Sequence, residues 1–199
     1  MKTNPLAFHS PQSQRELLDL KELVPTQFQE IEIEIGPGTG RFLKTMAIQK
    51  PNSFFIGIDK RKDRVKSTER KIKSLESQNA LVVYQDARYF QSEQIPEISA
   101  LHVYHPDPWP KKKHHKHRLF RSPEAKIFAE KIKEGGLISI STDHSEYYEE
   151  ICSIVESWGL FQHIKKWKKN SGTPQSRFEE IFFNKEEFVY YFTAIKKKT

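Results

Sequence analysis

The sequence contains very little sulfur: a single cysteine, Cys152, and two methionines in 199 residues. A lone cysteine cannot form an internal disulfide, which fits a reducing cytosol. The chain also lacks an apolar run approaching the roughly 20 residues that span a bilayer, and its start, MKTNPLAFHSPQSQ, lacks the apolar core of a signal peptide. We therefore expect a soluble, cytoplasmic protein.

Acidic residues are outnumbered by basic ones, 26 to 33, which gives a net charge of +7. This excess suggests a polyanionic partner but does not distinguish RNA, DNA or anionic lipid. The length and the 36% hydrophobic content favour one folded domain over residues 1–199, because no internal repeat or domain-sized linker is present. Residues 1–12 and 196–199 are expected to be loosely ordered.

Short apolar runs alternate with longer amphipathic ones along the chain. Strands are predicted at 31–35, 54–58, 80–84, 100–104 and 136–141, and helices at 41–49, 61–77, 123–134 and 145–158. Two further strands, 161–167 and 188–195, could form an antiparallel pair. This alternation predicts an α/β fold, a Rossmann-like doubly wound sheet that is mostly parallel and has an antiparallel C-terminal edge.

A glycine-rich turn, Gly36-Pro-Gly38-Thr-Gly40, joins the first of these strands to a helix. Glycine permits the backbone angles of a tight strand-to-helix turn and lets a ligand approach the main chain. The pattern alone is a weak indication of a ligand, since many tight turns share it. Glu34, just before the turn, would repel a pyrophosphate and suits a cationic or amine-bearing ligand.

Carboxylates follow or end three successive strands. Glu34 lies near the end of the first, Asp59 ends the second and Asp86 follows the third. The carboxyl ends of parallel strands share one edge of the sheet, where open α/β sheets bind ligands, and a carboxylate there can bind ribose hydroxyls. Each acid alone fits a solvated loop residue or a helix cap, but together they predict a nucleoside site.

Three segments, EIGPGTG, GID and NALVVYQDA, resemble the class I S-adenosylmethionine-dependent methyltransferases. The resemblance implies a Rossmann-like fold with S-adenosylmethionine as cofactor. It places the turn glycines (Gly36, Gly38 and Gly40) against the methionine part of the cofactor, Asp59 at the ribose, and Asp86 with Ala87 at the adenine. Because a sulfonium is cationic, an acid-lined pocket that includes Glu34 is chemically reasonable.

The segment after the fourth strand, YHPDPWPKKKHHKHR, joins a proline-stiffened acid to a basic run. Residues before proline are restricted, so His105, Asp107 and Trp109 are all expected to be extended. A rigid loop with Trp109 in the core is the simplest interpretation. The basic run fits either a solvated face or a polyanion-binding patch. No metal site is expected at its three histidines, because the neighbouring lysines repel a cation.

The segment HPDPWPKKKHHKHRL, followed by GGLISISTD and SRFE, closely resembles the tRNA (guanine(46)-N7)-methyltransferase family over residues 30 to 195. The resemblance implies that Asp107 is the active-site acid and that Lys111 contacts the substrate. It also implies that the target guanosine region is contacted by Asp143, Ser176, Arg177, Phe178 and Glu179. Three residues depart from the family pattern: Asp59 replaces a usual Glu, Ser176 a usual Thr, and His105 a common Phe.

The sequence thus predicts a methyltransferase that acts on N7 of guanine 46 in the tRNA variable loop. Phosphate contacts are expected from the cations after the proline segment: Lys112, Lys113, Lys116 and Arg118. Alternatives are a non-catalytic RNA-binding protein on the same fold and a methyltransferase for another RNA site. A small-molecule or protein substrate is disfavoured by the basic run. We infer no obligate protein partner, and either a monomer or a homodimer is compatible with the sequence.

Overall fold

The computed structural model describes residues 8–9, 18–76, 78–172 and 177–198. The strands are β1 (Phe8–His9), β2 (Glu30–Ile35), β3 (Ser53–Asp59), β4 (Ala80–Tyr84), β5 (Ile98–Tyr104), β6 (Ile132–Thr142), β7 (Phe161–Lys169) and β8 (Val189–Lys196). The α-helices are α1 (Arg41–Gln49), α2 (Lys62–Ile72), α3 (Pro123–Glu130), α4 (Ser145–Ser157) and α5 (Arg177–Asn184). In this part of the chain, none of the helices has the length and apolar character that crossing a bilayer requires.

The strands form one eight-stranded sheet in the order β1-β4-β3-β2-β5-β6-β8-β7. Neighbours from β1 to β6 pair in parallel, whereas β8 runs antiparallel to both β6 and β7. The predicted mostly parallel sheet with an antiparallel C-terminal edge is therefore confirmed. The chain winds outward from β2 in one direction and from β5 in the other, so a crevice is expected between these two strands.

The core lies on both faces of the sheet because successive strand residues point to opposite faces. All seven residues of β3, SFFIGID, are buried. Phe55 packs on one face with Leu43 of α1 and Val65 of α2. Phe54 packs in the cluster on the other face, which is covered by α3 and α4. The apolar runs predicted as strands are thus central strands covered on both sides.

Two predicted helices end earlier in the structure than the sequence indicated. The helix expected over 61–77 ends at Ile72, and the one expected over 123–134 ends at Glu130. In the second case the chain enters β6 at Ile132, which pairs with Ile98 before the strand register shifts. Gly136 accommodates the irregularity, because a Cβ there would lie 2.7 Å from the Ser99 carbonyl oxygen.

Both end segments contain residues that form main-chain hydrogen bonds with the rest of the chain. Phe8–His9 form β1 and pair with β4, and the other residues of 1–12 lie outside the described part. At the other end Lys196 belongs to β8, and the Lys197 amide donates to the Leu160 carbonyl at 2.9 Å. Main-chain pairing therefore includes Phe8–His9 at one end and Lys197 at the other.

A chain of polar side chains crosses the middle of the sheet. Glu32 of β2 pairs with Lys50 (2.6 Å) and with His102 of β5 (2.8 Å). The other His102 ring nitrogen lies 3.1 Å from the Tyr104 hydroxyl, which donates to Ser139 of β6 at 3.1 Å. Because buried polar groups are costly unless they are paired, these contacts strongly favour one alignment of the three strands.

Candidate active site

The glycine-rich turn leaves β2 with three glycines in the left-handed region. The φ angles are +78° at Gly36, +56° at Gly38 and +71° at Gly40, which immediately precedes α1. Gly40 is constrained by space as well, since a Cβ there would lie 2.7 Å from Thr68 Cγ2 and 2.9 Å from Thr68 Cα. The turn therefore requires glycine at this position for two independent reasons.

The three predicted cofactor carboxylates lie on or after neighbouring strands, in different environments. Glu34 is 4% exposed, its Oε2 has no hydrogen-bond partner among the described residues, and burial together with Asp59 raises its pKa to about 8. Burial also raises the pKa of Asp59, although the Arg61 amide donates to this carboxylate. At Asp86 burial is outweighed by hydrogen bonds from Arg88, which lower the pKa. The unpartnered Glu34 oxygen fits a cationic or N–H-bearing ligand.

An open cleft lies at this edge of the sheet, lined by residues from the ends of β2, β3 and β5 and from the loop after β4. The predicted cofactor residues that line it are Gly36, Gly38, Asp59, Asp86 and Ala87. Glu34 lines an adjoining cavity together with Gly36 and Gly38, whereas Gly40 packs against Thr68. A nucleoside-bearing cofactor with a cationic centre fits this set of donors and acceptors.

Asp107 lines the cleft from the loop after β5 and is 62% exposed. Its carboxylate forms an ion pair with Lys60 at 2.9 Å, and Lys60 directly follows β3. The expectation that His105 and Trp109 are extended is wrong: their φ angles are +50° and +44°. Local proline restriction is overridden here by contacts that the loop makes with more distant residues.

The first of these contacts involves His105, whose packing the sequence left open. Its Nδ1 lies 3.1 Å from Asp143 Oδ1, and its ring packs against Phe178 and Phe182 with centroid distances of 5.5 and 5.4 Å. Burial opposes ionisation of Asp143, but the hydrogen bond with His105 prevails and lowers the pKa of that carboxyl. Asp143, expected to contact the substrate, is thus a partner of His105 in this structure.

The second contact involves Arg118, and it corrects a prediction. Arg118 is fully buried, so a role in binding RNA phosphates is wrong. Its Nε donates to the Pro108 carbonyl at 2.8 Å, and its guanidinium pairs with Glu150 and, at 3.4 Å, with Glu146. It also lies 4.7 Å from the centre of the Tyr147 ring. Arg118 therefore fastens the proline loop to α4.

The remaining cations of the run lie at the surface. Lys111, Lys112, Lys113 and Lys116 are all exposed, in or next to a 3-10 turn over Lys112–His117. These positions leave them available to phosphates. Trp109 is half-buried and packs against the imidazoles of His114 (5.8 Å) and His117 (5.2 Å), rather than in the main core.

A third histidine of the run, His115, lies beside two carboxylates. The ligand atoms of His115, Glu146 and Glu150 lie within 4.8 Å of one another, a spacing that could hold a metal ion. However, Glu150 is already paired with the guanidinium groups of Arg118 and Arg121. A bound cation would have to displace or face these positive charges, so we assign this cluster to loop anchoring.

The predicted substrate residues of α5 do not all reach the cleft. Arg177 and Phe178 line the cavity that Glu34 shares, and Phe178 also lines the main cleft. Glu179 instead is 2% exposed and accepts a hydrogen bond from the Tyr191 hydroxyl at 2.9 Å. The structure therefore places Glu179 in the packing between α5 and β8. Ser176 lies outside the described residues.

Sequence reasoning missed the basic side of the cleft. Lys60, Arg61 and Arg64 all line it together with the carboxylates. The signal was present as KRKDR directly after Asp59, at the start of the helix predicted over 61–77. The signal could have been used, because a helix that follows β3 begins at the same edge of the sheet as the other site residues.

The strand order, the glycine turn and the carboxylates at successive strand ends define a class I methyltransferase fold. The family model described as "Putative methyltransferase" matches residues 29–191, and the chain belongs to this family. Its curated relatives confirm the resemblance drawn from the motifs, because they are tRNA (guanine-N(7)-)-methyltransferases. Those of Francisella philomiragia and Legionella pneumophila (strain Corby) are 31% and 34% identical to this chain over 153 and 147 residues.

These alignments cover 76% and 73% of this chain but only 66% and 65% of the two relatives. Solved structures are similar in fold. The 16S rRNA methyltransferase KamB matches with a TM-score of 0.63 at 14% identity, covering 92% of this chain and 95% of that one. An antibiotic-related methyltransferase matches with a TM-score of 0.60 at 20% identity, covering 86% and 89%. At such identities the likeness shows the fold alone.

Proposed function

We propose that the protein is an S-adenosylmethionine-dependent tRNA methyltransferase that modifies N7 of the guanosine at position 46. The observation that carries this proposal is the placement of Asp107. It lines the same cleft as the predicted cofactor residues and is followed closely by four exposed lysines. The names of the curated relatives support the reaction, and the motif PDPWPKK supports the site.

The residues present fit the cofactor. The glycine turn would hold the methionine part, Asp59 the ribose, and Asp86 with Ala87 the adenine. Bound S-adenosylmethionine supplies an activated methyl group on a cationic sulfur. Glu34 provides the buried acceptor that a positively charged ligand requires, since its Oε2 has no partner within the part of the chain that the structure describes.

The proposed reaction requires little acid-base catalysis by the protein. Guanine N7 carries a free lone pair, so no proton has to be removed before it attacks the methyl carbon. Methylation at N7 would leave the guanine cationic. The task of the residues is to align the reacting atoms and exclude water. Asp107 accepts hydrogen bonds from the N–H edge of the base and favours the cationic product.

Lysines of the basic run neutralise tRNA phosphates around the cleft. Lys111, Lys112, Lys113 and Lys116 supply affinity that is independent of sequence and falls steeply with salt. Phe178 covers the base side of the cleft, next to His105. We also propose that residues 1–199 act as one domain in the cytoplasm, with tRNA as partner and without an obligate protein partner.

Incubation with labelled S-adenosylmethionine and an unmodified tRNA transcript, followed by nucleoside mass spectrometry, tests the function. We expect 7-methylguanosine from a transcript with guanine at position 46 and none from a transcript with adenine there. A different methylated nucleoside would overturn the assignment of the base. 7-Methylguanosine from both transcripts would point to another RNA site. No S-adenosylmethionine binding by calorimetry would favour a non-catalytic RNA-binding protein.

Asp107→Asn tests the role of the active-site acid with little change in shape. Hydrogen bonds to charged groups contribute about 1.5–3 kcal/mol, so kcat/KM for tRNA should fall on the order of 100-fold. Cofactor affinity should be unchanged, because the proposed hydrogen bonds of Asp107 are to the target base. A variant with full activity would show that Asp107 has no catalytic role.

A further inference from the structure

The outer edge of the sheet carries a surface that the proposed mechanism does not use. Strand β7, FQHIKKWKK, is the last strand in the order and contains four lysines and no acid. Lys165 and Lys168 are exposed, and Lys166 pairs with Glu156 of α4. The indole of Trp167 is also 43% exposed. This edge therefore combines cations with exposed apolar surface.

Protection of the edge strand against pairing with another sheet explains the lysines of β7 but not its exposed apolar side chains. Lysines on an edge strand prevent pairing with another sheet. A strand built only for protection would not also expose Ile164 (39%) and Trp167 (43%). Trp167 stacks flat on Tyr191 of β8, with 5.1 Å between centroids and 7° between planes. An indole fixed in this way is a rigid platform for a further ring.

Two of the lysines are held in place by aromatic rings. The Lys168 ammonium lies 4.7 Å from the centre of the Phe188 ring. The Lys169 ammonium lies 4.9 Å from the Tyr191 ring and 5.2 Å from the Phe183 ring. These contacts keep both charges near the surface of the protein, so less side-chain entropy is lost when they bind an anion.

The basic end of β7 lies at the substrate edge of the sheet. Lys168 pairs with Tyr190 of β8, and Tyr190 pairs with Thr142 at the end of β6. Two strand spacings separate β7 from β6, which corresponds to roughly 10 Å. Asp143, which bonds to His105, follows β6 directly. An RNA whose target base enters the cleft would bring neighbouring nucleotides to this edge.

We propose that Lys165, Trp167 and Lys169 on one face of β7, together with Lys168 on its other face, form a second tRNA-binding surface along this edge, here named the β7 surface. The lysines bind phosphates and Trp167 stacks on an unpaired base near the target nucleotide. This inference rests on the proposed function for the identity of the RNA. A second copy of the chain is a poorer occupant, because pairing two β7 strands would bring like charges together.

The test compares two triple variants with the same change in charge. Lys165→Ala/Lys168→Ala/Lys169→Ala removes the cations of the β7 surface. Lys62→Ala/Lys66→Ala/Lys73→Ala removes three exposed cations from α2 and its C-terminal cap, in the other half of the sheet. Affinity for unmodified tRNA is measured by fluorescence anisotropy over a series of salt concentrations, after thermal melts have shown that both variants fold.

We expect the β7 variant to weaken tRNA binding at least tenfold. The slope of log Kd against log salt should also decrease by about two to three, because each phosphate that a lysine neutralises contributes about one to that slope. Its kcat at saturating tRNA should stay within twofold of the original. The α2 variant should weaken binding less than threefold. Equal weakening in both variants would overturn the proposal, because net charge alone would then explain it.

Trp167→Ala tests stacking separately from charge. It should weaken tRNA binding about fivefold or more, since a base–aromatic stack contributes about 1–3 kcal/mol, without changing the salt slope. Trp167→Phe should restore most of the affinity. Unchanged tRNA binding by Trp167→Ala would remove the stacking role. A change in the sedimentation of the β7 variant, with unchanged RNA binding, would assign the edge to self-association and overturn the proposal.

The binding measurement does not depend on methyl transfer, so the two proposals can fail separately. If the unaltered protein forms 7-methylguanosine and the β7 variant binds tRNA equally well, only the β7 surface is wrong. If the unaltered protein binds tRNA through this surface but forms no 7-methylguanosine, the proposed reaction is wrong and the β7 surface stands.

Discussion

Two loops leave neighbouring strands at the same edge of the sheet, and both turn through positive φ angles. The glycine loop after β2 does so at Gly36, Gly38 and Gly40, where the left-handed region has no steric cost. The proline loop after β5 does so at His105 and Trp109, where about 1–3 kcal/mol per residue is expected. The conformation of the glycine loop is determined by its own residues, whereas that of the proline loop has to be stabilised by contacts with distant residues.

The contacts that maintain the proline loop come from later parts of the chain. His105 bonds to Asp143, 38 residues further on, and the Pro108 carbonyl accepts from Arg118. Arg118 is held in turn by Glu150 of α4. The position of Asp107 thus depends on residues outside the substrate cleft. The comparison predicts that the two loops should respond differently to substitution.

The largest effect is expected from Arg118→Met, which keeps an unbranched apolar stem but removes the bond to Pro108 and the pair with Glu150. A displacement of the loop by about 1 Å can cost on the order of 100-fold in rate, so kcat/KM should fall by that factor. Cofactor affinity, measured by calorimetry, should stay within twofold. Arg118→Lys is the matched control and should recover part of the rate. An unchanged rate in Arg118→Met would show that the loop holds its own shape.

A smaller effect, now on the cofactor, is expected from Gly40→Ala. The new Cβ would meet Thr68, and the positive φ adds strain, so about 1–3 kcal/mol of stability should be lost. S-Adenosylmethionine affinity should fall about tenfold or more, with turnover at saturating cofactor largely kept. Gly159→Ala provides the control, because Gly159 has a φ of +68° and open space around it. Equal losses of cofactor affinity in the two variants would contradict a local role for the glycine loop.

The smallest effect concerns Glu34, beside the glycine loop. Its pKa is raised to about 8, so the folded protein without ligand binds an extra proton and loses stability as pH rises from 4.5 towards 8. A cationic ligand favours the carboxylate, so S-adenosylmethionine affinity should rise about fivefold between pH 7 and pH 8. Glu34→Gln should bind more weakly and lose this dependence. A flat profile for the unaltered protein would show that Glu34 is already ionised.

Sequence reasoning succeeded where structure is determined locally. The strand ends, the glycine turn and the three carboxylates follow from short patterns whose cause lies within a few residues. The parallel order of the sheet also follows, because strand-helix alternation allows few topologies. Asp107 was placed at the same edge by the same reasoning, and it lines the cleft.

The predictions were wrong for residues whose conformation or burial depends on contacts with residues distant in the sequence. Arg118 looked like one more cation of KKKHHKHR, but its contacts with Glu150 and Tyr147 of α4 make it a buried anchor. The angle at His105 depends in the same way on Asp143. The strand start at Ile132 was hidden because IFAEKIK keeps a helical spacing into β6. Neither periodicity nor local propensity carries information about such partners.

The polar side chains of Glu32, His102 and Tyr104 fix the register of β2, β5 and β6. This register determines how the loops after β2 and β5 are positioned at the site. The three side chains join β2 to β5 and β6 in the interior, so these strands cannot slide past one another without breaking their contacts. A slip of one residue would turn every side chain of a strand to the opposite face. The polar contacts in the middle of the sheet therefore fix the position of the glycine loop relative to the proline loop along the strand direction. Under the proposed function, a substitution of His102 would shift the two loops relative to each other and misalign the methyl donor with its acceptor.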